Sequence, residues 1–144
     1  MEIRPANTAD YPTIHALMLE YALFQKTPEK VTITVNQMIK DKDFFKSYVV
    51  TDKETIIGFA SYYLSYNSWT GKSLYLDDIY LTPAARGMNI GNRIMDKLAS
   101  IAKSNDCTKM RWLVSKWNES AIGFYKKRGA VIYDTEYVCD FDIK

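Results

Sequence analysis

The spacing of apolar and polar positions changes several times along the chain, and each change predicts a new element. The opening EIRPA alternates and is stopped by proline, which predicts a first strand. Apolar residues then recur at three-and-four spacing, which predicts a helix capped by Asn7 with Asp10 in its first turn. The buried face of that helix comprises Ile14, Leu17, Met18, Tyr21 and Ala22. A short second helix is predicted from Thr34, because Thr34 and Gln37 have the spacing of a capping box.

The middle of the chain is rich in β-branched and aromatic residues. SYVVTD and TIIGFASYYLSY predict two strands joined by a tight turn around Lys53 and Glu54, and SLYLDDIYLT predicts the next strand. After Pro83 the period becomes that of an amphipathic helix, which ends near Asn105 and packs on a sheet. Its apolar stripe comprises Ile90, Ile94, Met95, Leu98, Ile101 and Ala102.

The last third predicts a strand KMRWLVS, a short helix ESAIGFYKKR closed by Gly129, and a β-rich tail VIYDTEYVCDFDI. Together the elements predict an α/β fold in which helices cover a sheet, in a single domain over residues 1–144.

Composition and charge exclude several classes of protein. The formal net charge is only +2 and the basic residues alternate with acids, which argues against a nucleic-acid partner. No apolar run is long enough to span a bilayer and no secretory leader is present, so we expect a cytoplasmic protein without a membrane partner. Cys107 and Cys139 have no close cysteine or histidine, so no metal is expected.

The six residues RGMNIG, Arg86 to Gly91, join a predicted strand to the amphipathic helix. Main-chain N–H groups at a helix N-terminus bind anions, glycine lets a phosphate approach the backbone, and Arg86 adds a charge. The turn is therefore a candidate phosphate site. An ordinary glycine-containing loop before a helix would look the same, and the turn matches neither the P-loop nor the dinucleotide pattern.

A second motif further along the chain makes the interpretation of the turn more specific. RGxxxG at residues 86–91 followed by NExAxxFYxxxGA at residues 118–130 resembles the GNAT superfamily of acyl-CoA-dependent N-acetyltransferases. The stretches IRPANTAD and YYLSYNSWTGKSLYLDD are similar to those of the diamine branch, which acetylates spermidine, spermine or thialysine. The resemblance covers nearly the whole chain. It implies a mixed, mostly antiparallel sheet with splayed central strands and helices on both faces.

The resemblance also implies acetyl-CoA as co-substrate, no metal, and a homodimer. The backbone of the turn would hold the pyrophosphate, and the pantetheine would lie between the splayed strands. The implied cofactor-binding residues are Leu81, Arg86, Gly87, Met88, Asn89, Ile90, Gly91, Asn118 and Tyr125. Asn118 alternatively only caps the last helix. Asn89 stands where the family has glycine, and the turn is predicted to survive because asparagine tolerates a left-handed backbone.

Acetyl transfer from a thioester to an amine needs a neutral amine, a polarised carbonyl and a protonated leaving thiolate. An alkylamine has a pKa of about 10.4, so a base or a water relay must take its proton. Asp77 and Asp78 are the candidates, although adjacent strand residues face opposite sides unless the strand is bulged or splayed. The resemblance favours both near the amine, acting through water. The alternative is that both are solvated or ion-paired acids.

The other predicted roles follow from the same chemistry. Tyr125 would protonate the thiolate, unless it is only a core aromatic beside Phe124. A main-chain N–H near Leu81 would polarise the carbonyl. Aromatic faces suit cations, so three further residues are candidates for amine binding, although chance packing would explain them equally. These residues are Tyr66, Trp69 and Trp117.

The predicted function is an acetyl-CoA-dependent N-acetyltransferase acting on a primary amine of a small polyamine or lysine-like molecule, by direct attack in a ternary complex. One alternative keeps acetyl-CoA and takes a lysine or N-terminus of a protein as substrate. An alternative of another class is a non-catalytic acyl-CoA-binding regulatory module, against which Tyr125 and the acidic pair speak.

Overall fold

A computed structural model of the chain describes residues 1–143, which form two compact units, Met1–Trp112 and Leu113 onward. The first unit contains a five-stranded sheet in which the strands lie in chain order. The strands are β1 (Glu2–Pro5), β2 (Lys46–Asp52), β3 (Thr55–Asn67), β4 (Gly71–Leu81) and β5 (Lys109–Arg111). The helices are α1 (Tyr11–Phe24), α2 (Val35–Lys40), α3 (Ile90–Ser104) and, in the second unit, α4 (Glu119–Lys127). Neighbouring strands are antiparallel except β4 and β5, which are parallel.

Helices cover both faces of this sheet. On one face, α1 and α2 pack against Val49, Phe59 and Tyr80 in a buried cluster. Side chains alternate between the faces of a strand, so the neighbouring Tyr48 points to the other face. There the ammonium of Lys97 on α3 lies 5.5 Å from the centre of the Tyr48 ring. The mixed sheet with helices on both faces was predicted and is confirmed.

Hydrogen bonds fix α1, α2 and the segment that joins them. Asn7 was predicted to cap α1. It caps instead the 3-10 turn Thr8–Asp10, which leads directly into α1. Thr34 accepts the N–H of Gln37 and caps α2 as predicted. His15 on α1 lies 2.8 Å through its Nε2 from the carbonyl oxygen of Ile33.

Strand β4 is paired along its whole length on one side only. Strand β5 pairs with it from Ser73 to Tyr75, and β4 continues to Leu81. Thr82 donates its N–H to the carbonyl of Ile57 (3.0 Å), which makes Gly58 and Leu81 a non-hydrogen-bonded pair of the ladder between β3 and β4. The N–H of Leu81 therefore points away from β3.

Two predicted strands near the end of the chain differ from the structure. KMRWLVS was predicted as one strand, and only Lys109–Arg111 is a strand. The β-rich tail was also wrong, because residues 131–143 contain no strand and their side chains are exposed. Alternating apolar residues form a strand only where another strand pairs with their N–H and C=O groups. The part of the second unit that the structure describes contains no strand to pair with them.

No helix within residues 1–143 is long and apolar enough to cross a membrane.

Candidate active site

Both aspartates of the predicted pair face the same cavity because β4 is bulged beside them. Ser61 on β3 pairs with Asp78 and Tyr62 pairs with Leu76, which leaves Asp77 as an extra residue on β4. A bulge of this kind breaks the strict alternation of side chains. Asp77 and Asp78 both line a cavity of about 550 Å³ in the first unit. Ser61 fixes the bulge, since its hydroxyl accepts the N–H of Asp78 at 3.2 Å.

The two carboxyl groups differ in their surroundings. Asp78 is half-buried, and desolvation together with the negative charge of Asp77 raises its pKa to about 6. Asp77 is more exposed, and partial desolvation raises its pKa as well. A carboxylate with a pKa near 6 holds a proton more strongly than an ordinary aspartate and still ionises at neutral pH. Asp78 therefore has the properties of a general base.

Aromatic side chains form part of the cavity walls. Tyr21 of α1 stands beside the carboxyl groups, and burial and the charge of Asp78 raise its pKa. Its hydroxyl accepts a hydrogen bond from Gln25 (2.9 Å), and its ring stacks on Tyr80 at 5.4 Å. Four more aromatic residues line the cavity, namely Phe44, Phe45, Tyr62 and Tyr63. An aromatic cavity with carboxylates on one wall suits an alkylammonium ion.

The sequence analysis missed these aromatic residues as a group. Tyr62 pairs with Leu76 and Tyr63 pairs with Tyr75, which brings both close to the acidic pair. This pairing depends on the ladder between β3 and β4, and no local pattern in the sequence indicates it. The structure places two of the predicted amine-binding residues away from the cavity. Tyr66 and Trp69 lie at the hairpin between β3 and β4, are 77% and 95% exposed, and do not line the cavity. Trp117, in the second unit, is 55% exposed, and the role of all three stays a prediction.

The turn before α3 presents main-chain donors, as its sequence predicts. Within residues 1–143, the N–H groups of Gly87, Ile90 and Gly91 donate to no protein acceptor. Gly87 has a φ of 78°, and a Cβ added there would meet nothing, so the space above the turn is open. Together with the positive end of α3, these donors fit the pyrophosphate of a nucleotide cofactor.

Asn89 adopts the left-handed conformation that its position needs. It has φ 59° and ψ 13°, and its side chain makes no cap hydrogen bond to the helix. The side-chain oxygen instead accepts from the amide of Asn92 at 2.6 Å. Asparagine thus supplies the backbone shape for which the family uses glycine, and its amide oxygen is already bonded within the protein.

Replacing Asn89 by glycine is expected to leave CoA affinity unchanged or tighter, because the main-chain donors stay in place. Asn89→Ala is the matched variant, and it should lose about 1 kcal/mol of folding stability because alanine strains a left-handed backbone. Calorimetric titration with CoA and thermal melts of both variants measure these effects. A large loss of CoA affinity in Asn89→Gly would show instead that the asparagine amide binds the cofactor.

Arg86 packs against the first helix. Its guanidinium lies 5.4 Å from the centre of the Phe24 ring and 5.9 Å from that of Tyr80, and its Nε donates to the carbonyl of Leu81 (3.3 Å). The Tyr80 hydroxyl donates in turn to Glu20 at 2.6 Å. Arg86 thus attaches the turn to α1 as well as adding a positive charge beside it.

In the second unit, Asn118 immediately precedes α4 and Tyr125 lies in the last turn of that helix. The side chain of Asn118 accepts the N–H of Ala121 at 3.2 Å and caps the helix, as one alternative predicts. Tyr125 is 7% exposed, and its ring meets that of Phe124 edge-on at 5.4 Å. Gly129 ends the helix with a φ of 86°. Within residues 1–143 no cluster of three metal-ligating side chains occurs.

In the first unit, the part of β4 that β5 does not pair and the free N–H groups at the start of α3 would fit an anionic, extended cofactor. Residues 11–130 match the sequence profile of the Acetyltransferase (GNAT) family. The chain therefore belongs to the GNAT family of acetyltransferases, enzymes that use acetyl-CoA. The predicted family and enzyme class are confirmed.

Relatives and solved structures agree with this assignment. The chain is 34% identical to the human spermidine/spermine N(1)-acetyltransferase-like protein 1, over 94% of this chain and 21% of that protein. It is 33% identical to the thialysine N-epsilon-acetyltransferase of Mus musculus, over 89% of this chain and 82% of that protein. The chain thus spans about a fifth of the human protein and most of the mouse one. The fold matches a possible acetyltransferase of Clostridium difficile 630 with a TM-score of 0.81 and 21% identity, over 99% and 98% of the two chains.

Proposed function

We propose that this protein transfers an acetyl group from acetyl-CoA to a primary amine of a small polyamine or lysine-like molecule, by direct attack in a ternary complex. The observation that carries the proposal is the bulge in β4, which turns two carboxylates into one aromatic cavity. Alkylammonium groups bind to carboxylates and aromatic faces. The names of the human and mouse relatives, spermidine/spermine and thialysine acetyltransferases, support the same kind of substrate.

Acetyl-CoA supplies an activated acetyl thioester. The free N–H groups of Gly87, Ile90 and Gly91 fit its pyrophosphate, and Arg86 adds positive charge beside them. The N–H of Leu81, which points away from β3, would donate to the thioester carbonyl and stabilise the negative charge on its oxygen during attack. We assign Asn118 to the pantetheine on the strength of the resemblance.

The bound ammonium gives one proton to Asp78, directly or through a water, and the neutral nitrogen then bonds to the carbonyl carbon. As the carbon–sulfur bond breaks, the nitrogen gives its second proton to water, and Asp78 later releases its own proton to solvent. Asp77 keeps the pKa of Asp78 high and adds attraction for a cation. Tyr125 gives its hydroxyl proton to the leaving thiolate and later regains one from water. A homodimer is proposed on the resemblance alone, and the cytoplasmic location stays a prediction from the sequence.

The test is a panel of amines incubated with acetyl-CoA, with thiol release as the measurement. We expect rapid release with short polyamines or diamino acids and little with lysine-containing peptides or with a protein N-terminus. Faster turnover of the peptides would favour the protein-acetylating alternative. CoA binding without turnover of any amine or peptide would favour the regulatory module.

A further inference from the structure

The cavity is lined by charged side chains of both signs. Asp77 and Asp78 lie on the sheet wall, and the segment between α1 and α2 supplies hydrogen-bond donors on the other. Thr27, Lys30 and Thr32 come from that segment. Among the lining residues that the structure describes, Lys30 is the one basic side chain. A ligand that fits both walls needs a positive group at one end and a negative group at the other.

The backbone that carries Lys30 is held by hydrogen bonds on both sides. The N–H of Thr27 donates to the carbonyl of Ala22 at 2.9 Å, and the N–H of Lys30 donates to the carbonyl of Thr27 at 3.1 Å. Beyond Lys30, His15 bonds to the carbonyl of Ile33. The lysine therefore extends from a fixed 3-10 turn, Pro28–Lys30, and a ligand that meets it does not have to order a mobile loop.

The ammonium of Lys30 is available to a ligand. It forms no ion pair with any residue in the described part of the chain. The third acid of the cavity, Asp41, is bound instead by the side-chain amide of Gln37, at 3.1 and 3.0 Å from its two oxygens. Asp41 keeps its negative charge, but within the described residues it is not ion-paired with Lys30.

We propose that Lys30 is a specificity-determining residue that binds the carboxylate of a small diamino acid while the reacting amine lies at Asp78. The proposal rests on the proposed acetyltransferase function and selects among its substrates. A linear diamine or polyamine carries a second ammonium group that would meet the like charge of Lys30. A diamino acid such as lysine or ornithine carries an α-ammonium and a carboxylate at that end, so the end is neutral overall and its carboxylate can bind Lys30. Lys30 therefore favours diamino acids by attraction and disfavours polyamines by repulsion.

The experiment compares two pairs of amines that differ only by the carboxylate, lysine with cadaverine and ornithine with putrescine. The kcat and KM of each are measured with acetyl-CoA for the parent, Lys30→Gln and Lys30→Glu. For the parent we expect a higher kcat/KM with the amino acid of each pair. Lys30→Gln should lower kcat/KM for the amino acids by about five- to thirty-fold, through KM, because one charge-assisted contact in a half-open cavity is lost. The diamines should be unaffected or improved, and Lys30→Glu should reverse the preference.

Lys40→Gln is the matched control, since Lys40 on α2 is exposed and does not line the cavity. It should behave as the parent with all four compounds. A parent that prefers the diamines, or a Lys30→Gln variant with an unchanged amino acid to diamine ratio, would overturn the inference while leaving the acetyltransferase function intact. A parent that acetylates none of the four compounds would contradict the proposed function, and the inference with it.

Discussion

Asp78→Asn is expected to lower kcat/KM at neutral pH by about a hundredfold or more, because a positioned general base contributes about 10² to 10⁴ in rate. The parent should show a rise in kcat/KM as pH passes about 6, where desolvation and Asp77 place the pKa of Asp78. That rise should be absent in the variant. Steady-state kinetics from pH 5 to 8 with a good amine substrate measure both effects, and CoA affinity should stay unchanged.

The same substitution should stabilise the fold at neutral pH. The pKa of Asp78 is about 6 in the folded protein and about 3.9 in the unfolded chain, so between these values the unfolded state binds fewer protons. The stability of the parent should therefore fall as pH rises from about 4 through 6, and the fall should be smaller in Asp78→Asn, where only the raised pKa of Asp77 remains. Lost activity with gained stability would separate a catalytic carboxylate from a structural one.

Two further variants make the test specific. Asp77→Asn should move the rise in kcat/KM to lower pH, because the charge of Asp77 helps to raise the pKa of Asp78. Asp52→Asn, at an exposed position outside the cavity, should match the parent. If Asp78→Asn and Asp77→Asn both keep the parent's kinetics and pH profile, the pair has no part in proton transfer.

Tyr125→Phe is expected to lower kcat by about tenfold, at the low end of the range for a general acid, because a thiolate leaves tolerably even when unprotonated. The ring and its contact with Phe124 remain, so CoA affinity should change little. The defect should shrink as pH rises toward the pKa of a thiol, about 8.5, where the thiolate no longer needs a proton. The measurement is kcat across pH for both forms, with CoA binding determined in parallel.

Tyr133→Phe provides the control for losing a tyrosine hydroxyl from an exposed position of the same unit. It should turn over like the parent. An equally active Tyr125→Phe would return Tyr125 to a packing role beside Phe124, and the acid would then be a water or another group. A collapse of CoA binding would identify the hydroxyl as a cofactor ligand.

Local patterns in the sequence were sufficient to predict most of the helices and strands of the first unit. The stripe on α3 is one example, since Ile90, Ile94 and Leu98 recur at helical spacing and all are buried. Asn89 is another, because few residues accept the left-handed backbone that ends the turn. In each case the structure depends on residues a few positions apart.

The orientation of the acidic pair could not be derived in this way. Whether Asp77 and Asp78 share a face depends on how β4 pairs with Ser61 and Tyr62, which are more than a dozen residues away in the chain. The same holds for the cavity, whose aromatic walls come from α1, the segment before β2, and β3. The tail from Val131 shows the opposite error, since its alternation alone predicted a strand that the structure lacks.

The portion of β4 beyond Tyr75, which β5 leaves unpaired, also bears on the solubility of the enzyme. An unpaired strand edge exposes main-chain groups that can pair with a strand of another molecule and begin aggregation. Natural sheets protect such edges with bulges and with inward-pointing charges, and this strand has both in Asp77 and Asp78. The acids assigned to the amine thus also guard the edge against intermolecular pairing whenever the cofactor is absent.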